Sequence, residues 1–202
     1  MRLVVVAVVV LASSVACGEP ATGPSSAPSS PAAAGWTEVT EVALSDVQRG
    51  QKAKADGARE ALFAKLMARL ADELGKTGPT GAVAVCREQA QPIAAEVAKA
   101  QGVSIGRTSH KLRNPGNTPP DWAAGFVAAE RATPAMVAAP DGRLGGLTPI
   151  RLKATCLACH GDAKAIEPAV AAAIAQGYPR DQATGFKEGD LRGWFWVEVP
   201  KP

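Results

Sequence analysis

Cys156, Cys159 and His160 form a C-x-x-C-H sequence, the feature that most restricts what this chain can fold around. About one helical turn separates the two thiols, and the histidine follows the second thiol directly. At this spacing two thiols can add to the vinyl groups of haem while the imidazole binds the iron on one face. The sequence therefore predicts one covalently bound haem c, with His160 as the proximal iron ligand.

Three other uses of this cysteine pair compete with that interpretation. A zinc site needs two further ligands, and outside the motif the chain offers only Cys17, Cys86 and His110, none of them in a second C-x-x-C. A thioredoxin-like redox pair would begin a helix after a strand in a β-α-β unit, which the sequence does not predict. A structural disulfide between Cys156 and Cys159 stays open in an oxidising compartment.

The first sixteen residues have the layout of a secretory signal peptide. One arginine precedes a nine-residue apolar run, and small residues end that run before Cys17. The run is too short to cross a bilayer, which takes about 20 apolar residues. The chain is therefore predicted to be exported, with residues 1–16 removed.

Cys17 ends a short sequence that resembles a bacterial lipobox and is predicted to carry lipid. Ser14 stands where a lipobox usually has leucine, so ordinary cleavage after Ala16 is the alternative. Acyl chains on Cys17 would anchor the protein, at about 0.8 kcal/mol per buried CH₂. Because Gly18 rather than an aspartate follows, resemblance to lipoprotein sorting favours the outer membrane. The predicted location is a periplasmic membrane surface; without lipidation it would be a secreted, soluble protein.

The remainder of the chain divides into a linker and one domain. Residues 17–35 contain mostly proline, serine, alanine and glycine with a single charge, which predicts a flexible linker after the lipidated cysteine. Residues 36–202 are predicted to form one haem domain without internal repeats. The chain is 47% hydrophobic, enough for a packed core, and its net charge of +3 is too small to favour nucleic-acid binding.

The hydrophobic spacing predicts an α+β domain in which helices flank a small antiparallel sheet. Two long helices come first, from Ser45 to about Leu74 and from about Thr80 to Gln101, with glycine and proline between them. The later segments are an extended stretch over 103–112, a short helix over 121–131, a hairpin over 136–150, helical segments near 151–160 and 166–176, and a strand over 191–199.

The residues alone leave the second iron ligand open. Met67 lies on the leucine stripe of the first helix, where core packing is the ordinary use, and Met136 lies in a poorly patterned segment. His110 is the second histidine. Cys86 is on the apolar stripe of the second helix. Three interpretations stay open for it: a buried free thiol, a disulfide partner of an unacylated Cys17, or a thiolate ligand of the iron.

Four segments together resemble those of a known family. They are 86–94, which begins with the third cysteine, 103–115, with its Arg-Thr-Ser-His-Lys-Leu-Arg-Asn-Pro run, 156–161 around the haem motif, and 178–193. In combination they resemble a bacterial and cyanobacterial family of single-haem c-type proteins with a PAS-like fold, over about residues 60–200. The resemblance implies iron ligation by His160 and Cys86, and a role in electron transfer or redox sensing.

One position departs from the family pattern. His110 stands where the family often has an apolar residue, which makes it a competitor of Cys86 for the iron. If 107–113 is extended, Arg107, Lys111 and Arg113 share one face and His110 lies on the other. These three cations are candidate contacts for haem propionates or a thiolate, although a solvated basic edge strand would show the same pattern.

The predicted ligands favour a carrier of electrons over an enzyme. With both axial positions occupied the iron has no open coordination site, so no enzymatic activity is predicted. A thiolate stabilises ferric iron, which predicts a low reduction potential. The predicted function is electron transfer with a partner protein, and the alternative is a redox or diatomic-gas sensor in which the thiolate is displaced. The sequence names neither the redox partner nor the oligomeric state.

Overall fold

The computed structural model describes residues 35–202, which form one antiparallel sheet with helices packed against it. The sheet order is β1-β3-β4-β5-β2. The strands are β1 (Thr37–Glu38), β2 (Ser104–Thr108), β3 (Ala135–Ala138), β4 (Leu144–Arg151) and β5 (Leu191–Val199). The predicted α+β class is confirmed, and the PAS-like label stays a prediction. The predicted signal peptide, Cys17 and the linker up to residue 34 lie outside the described residues.

Five α-helices accompany the sheet in this part of the chain. They are α1 (Asp46–Glu88), α2 (Ala90–Gln101), α3 (Asp121–Ala128), α4 (Leu157–His160) and α5 (Pro168–Gly177), with short 3₁₀ turns at Glu41–Ala43 and Ala154–Cys156. Between residues 35 and 202 no helix is both long and apolar enough to cross a membrane.

Helix α1 is in fact two helices that meet at Gly78. This residue has φ 72° and ψ −169°, a conformation that glycine alone adopts at little cost, and Pro79 follows it. The chain folds back at this bend. Arg69, before the bend, donates a 2.6 Å hydrogen bond from Nε to Oε1 of Gln89, after it. The predicted break between two long helices is therefore correct, but the second predicted helix is itself divided at Gln89.

The two faces of the sheet bury different cores. One face packs against α1 and α2 through a mainly aliphatic cluster that includes Leu62, Val97, Ile105 and Val197. The other face packs against α3 through an aromatic cluster that includes Trp122, Phe126 and Trp194. Because side chains alternate along β5, this one strand supplies both cores.

Strand β2 ends at Thr108, four residues earlier than the sequence predicted. The hydroxyl of Ser109 accepts a hydrogen bond from the backbone N–H of Lys111 and donates one to the carbonyl oxygen of Arg192. These side-chain bonds replace the strand ladder with a turn. The expected alternation over 107–113 is therefore wrong, and Arg107, Lys111 and Arg113 do not share one strand face.

Candidate functional site

A cavity of about 240 Å³ lies where the bend of α1, the end of β2 and the C-x-x-C-H segment meet. Three cysteines and one histidine line it: Cys86, Cys156, Cys159 and His160. Two other cavities, of about 410 and 330 Å³, have neither cysteine nor histidine in their linings. The three cysteines of the described residues and His160 therefore converge on one place.

The C-x-x-C-H segment forms a single turn at the edge of this cavity. Cys156 ends a 3₁₀ turn, and α4 continues directly from it to His160. Cys86, Cys156 and Cys159 are all free, half-buried thiols. Within residues 35–202 no three His, Cys, Asp or Glu side chains are placed to hold a metal ion by themselves, so the zinc interpretation finds no support there.

His160 is held in one orientation by a backbone carbonyl. Its Nδ1 lies 2.7 Å from the carbonyl oxygen of Ala183, which assigns the proton to Nδ1 and leaves the lone pair on Nε2. Burial, followed by the nearby guanidinium groups of Arg192 and Arg113, lowers the pKa of His160 to about 3. The imidazole is therefore neutral at physiological pH, which is the form that binds metals.

Arg113 fastens the C-x-x-C-H turn to the loop before β5. Its Nε and Nη2 donate to the two carboxylate oxygens of Asp181, each at 3.1 Å, and Nη2 also donates to the carbonyl oxygens of Cys159 and Ala183 at 2.6 and 3.2 Å. Both side chains of the pair are about 10% exposed. Two of the three nitrogens of this guanidinium are thus occupied by protein acceptors.

The other two cations of this segment lie in different surroundings. Lys111 is exposed and does not line the cavity; its Nζ lies 5.1 Å from the centre of the Phe186 ring. Arg107 lines the cavity on the face of β2 that points toward the helices. Cys86 and Tyr178 act to raise its pKa, and Arg192 is a neighbour of the same charge. Only Arg107 of the predicted set both reaches the cavity and keeps its guanidinium free of acceptors in the described residues.

The alternative iron ligands separate clearly in the structure. His110 lies outside the cavity, packed between the rings of Phe186 and Trp194 at centroid distances of 6.0 and 5.9 Å. Met136 lines a different cavity. Met67 does line the site and is 41% exposed, so the prediction that it packs in the core is wrong.

A family model described as Tll0287-like matches residues 35–200. The chain belongs to the Tll0287-like family. The crystal structure of the cyanobacterial heme-protein Tll0287 is similar to this chain, with a TM-score of 0.56 and 28% sequence identity, over 79% of this chain and 98% of that one. No curated protein matches the sequence.

In this member of the Tll0287-like family the cavity carries an excess of positive charge. Arg107, Arg113 and Arg192 surround it, against the single carboxylate of Asp181 and a neutral His160. Burial, Arg113 and Arg107 together lower the pKa of Arg192 to about 10, which leaves it charged at neutral pH. The site is therefore complementary to a ligand with more than one negative charge.

Several residues of the site belong to no local motif that would mark them as functional in the sequence. Arg192 donates from Nη1 to the hydroxyl of Ser109 at 2.8 Å, and its Nε lies 3.3 Å from Nδ1 of His160. The carbonyl of Ala183 orients the imidazole, and any residue type could supply it. Asp181 and Tyr178 belong to segment 178–193, which carries part of the family resemblance. No local motif marks either residue as functional.

Proposed function

We propose that this protein binds one haem covalently through Cys156 and Cys159 and transfers electrons through it. The observation that carries the proposal is the cavity, into which a C-x-x-C-H turn and a third cysteine open between walls with excess positive charge. The 28% identity to a protein described as a heme-protein supports the same class of cofactor.

The residues present fit this group. Both thiols of the motif are free, as thioether bonds to the vinyl groups require. Neutral His160 has its lone pair on Nε2, because Nδ1 donates to Ala183. Apolar side chains form much of the wall and suit the flat hydrocarbon surface of a porphyrin: Leu70, Leu74, Val83, Ile150 and Leu152. The excess of guanidinium groups suits two propionates.

In this proposal Cys86 would be the second protein ligand of the iron. It opens into the same cavity as His160, whereas His110 and Met136 do not. Met67 shares the cavity and is the remaining competitor. We favour the thiol because Arg107, a cation of the same cavity that interacts with Cys86, would compensate the charge of a thiolate, whereas a thioether has no charge to compensate.

These ligands define how the site would work. Bound haem supplies one-electron chemistry at its iron. His160, oriented by Ala183, and the sulfur of Cys86 would hold the iron, and the negative charge of that sulfur would favour the ferric state and a low potential. Since these two ligands would leave no free position at the metal, we propose no enzymatic activity.

We also propose that the protein works outside the cytoplasm at a membrane surface. This rests on the sequence of residues 1–17, where a predicted signal peptide precedes the lipobox-like cysteine. Labelling with a radioactive fatty acid should mark the wild type but not Cys17→Ala, and the variant should move to the soluble periplasmic fraction. An unlabelled wild type would instead indicate a secreted, soluble protein.

Spectroscopy of the purified protein tests the function. The haem should stay with the polypeptide after acid and organic extraction, and the ferric spectrum should be low-spin. Cys86→Ala should become high-spin with a raised potential, whereas Met67→Leu and His110→Ala should keep the wild-type spectrum. Extractable haem, or an unchanged spectrum in Cys86→Ala, would contradict the proposal.

A second measurement separates electron transfer from sensing. Fast electron exchange with a small cytochrome, without a change of axial ligand, is expected for a carrier. Rapid binding of carbon monoxide to the reduced protein with loss of the thiolate would indicate a sensor instead.

A further inference from the structure

Arg107 is a charged residue at an inward-facing position of the sheet. It follows Ile105 on the face of β2 that packs against α1 and α2, and its strand partner is Phe195. A guanidinium has five N–H donors, yet that of Arg107 makes no hydrogen bond to any residue between 35 and 202. Burial lowers the pKa of Arg107, and the charge of the Cys86 sulfur is the largest cause that acts in the opposite direction. Arg107 is half-buried and lines the same cavity as that sulfur.

Tyr178 brings a second donor to the same place. Its side chain is 5% exposed and packs with Val83 and α5, while its hydroxyl makes no hydrogen bond to any described residue. Burial raises the pKa of Tyr178 to about 12, and nearby Cys86 is the next largest cause. The phenol therefore keeps its proton, so it can donate but carries no charge at neutral pH.

Arg113 and Arg192 have other partners. Arg113 is bonded to Asp181 and two backbone carbonyls, and Arg192 to Ser109, the carbonyl of Lys111 and the region of His160. Arg107 and Tyr178 line the same cavity as Cys86, and the charge of the Cys86 sulfur acts on both of them.

Resting on the proposed function, we propose that Arg107 and Tyr178 are positioning residues for the Cys86 sulfur, and that together they raise the reduction potential of a Cys86-ligated iron. Donors and a positive charge at a thiolate draw electron density away from the metal. The ferrous state is then more stable than it would be with a thiolate that accepts no hydrogen bond and has no cation beside it. In this way the protein would tune a strong thiolate ligand without replacing it.

The test is the reduction potential of the haem-loaded, full-length protein. Arg107→Gln should shift the equilibrium between ferric and ferrous iron at least tenfold toward ferric. For a one-electron couple, a tenfold shift is a fall of 59 mV in the reduction potential. Arg107→Lys, which keeps the charge, should shift it by less than half as much. Tyr178→Phe, which keeps the buried ring, should shift it in the same direction by a smaller amount.

The same substitution in a Cys86→Ala background identifies the group on which Arg107 acts. If the arginine acts through the sulfur, Arg107→Gln should then shift the potential by no more than a third of its effect in the wild type. An equal shift in both backgrounds would overturn the proposal and indicate a propionate partner. So would unchanged potentials in both Arg107→Gln and Tyr178→Phe. Failure of the proposed function is distinct, because Cys86→Ala would then leave the ferric spectrum of the wild type unchanged.

Discussion

The guanidinium of Arg113 makes a two-pronged ion pair with the carboxylate of Asp181, and both side chains are about 10% exposed. The pair joins the turn that carries Cys159 to the loop that carries Ala183, the residue whose carbonyl orients His160. A buried pair of this kind is costly to break one partner at a time, because the other charge is left desolvated.

We predict that Asp181→Asn lowers the free energy of unfolding by about 3–5 kcal/mol, the range for removing one partner of a buried pair. Urea unfolding followed by circular dichroism measures it. Lys76→Met is the control, since its bridge to Asp72 is exposed at 65% and 45%, and it should cost less than about 1 kcal/mol. Equal losses in the two variants would show that the Arg113 pair behaves as a surface pair.

Much of the fold and the centre of the site could be predicted from the sequence. The hydrophobic periodicity of the long helices and of β5 is strong, so their positions came out within a few residues. Cys156, Cys159 and His160 form a local motif, and one helical turn brings them together whatever the rest of the chain does.

The contacts that hold the C-x-x-C-H turn and orient His160 could not be predicted, because they join segments that are distant in the sequence. Ala183 meets His160 across 23 residues, and Asp181 meets Arg113 across 68. The sequence also missed the turn at Ser109, where a hydroxyl replaces the strand ladder, and so it grouped Lys111 with two cations that lie elsewhere. Local patterns carry no information about such tertiary partners.

His110 makes the stability of the protein depend on pH. It is 14% exposed, its Nδ1 is buried without a hydrogen-bond partner in the described residues, and burial lowers its pKa below 6.5. The stability that neutral His110 contributes is fully present above pH 6.5. It is lost as the pH falls below 6.5, because the unfolded chain binds a proton at this histidine more readily than the folded chain does.

We predict that His110→Leu reduces the loss of unfolding free energy between pH 7 and pH 5. Thermal or urea unfolding at several pH values measures the slope. Groups around the ring include Glu130, which opposes this effect, and Lys111 and Arg192, which add to it. A slope equal to that of the wild type would show that His110 protonates freely in the folded state.

Two glycines on the strands that flank β5 differ in the space around them. A Cβ atom added at Gly106 of β2 would lie 2.6 Å from the ring of Trp196, whereas one added at Gly146 of β4 would meet nothing within 4 Å. We predict that Gly106→Ala destabilises the protein by about 1–3 kcal/mol through overpacking. Gly146→Ala should stay within about 0.5 kcal/mol of the wild type. Denaturant midpoints measured side by side decide this, and similar values would mean that the indole moves aside.

The bend at Gly78 sets where Cys86 lies relative to the first half of α1. Gly78 has φ 72° and ψ −169°, a region that other residues enter at a cost of about 1–3 kcal/mol. Gly57, in the helical first half of α1, has a helical backbone and open space around it.

We predict that Gly78→Ala destabilises the protein by about 1–3 kcal/mol, whereas Gly57→Ala stabilises it by about 0.5–1 kcal/mol through higher helix propensity. Opposite signs in urea unfolding would support a required bend. If Gly78→Ala were as stable as Gly57→Ala, a continuous helix would be tolerated there, and the cavity wall would not depend on the glycine.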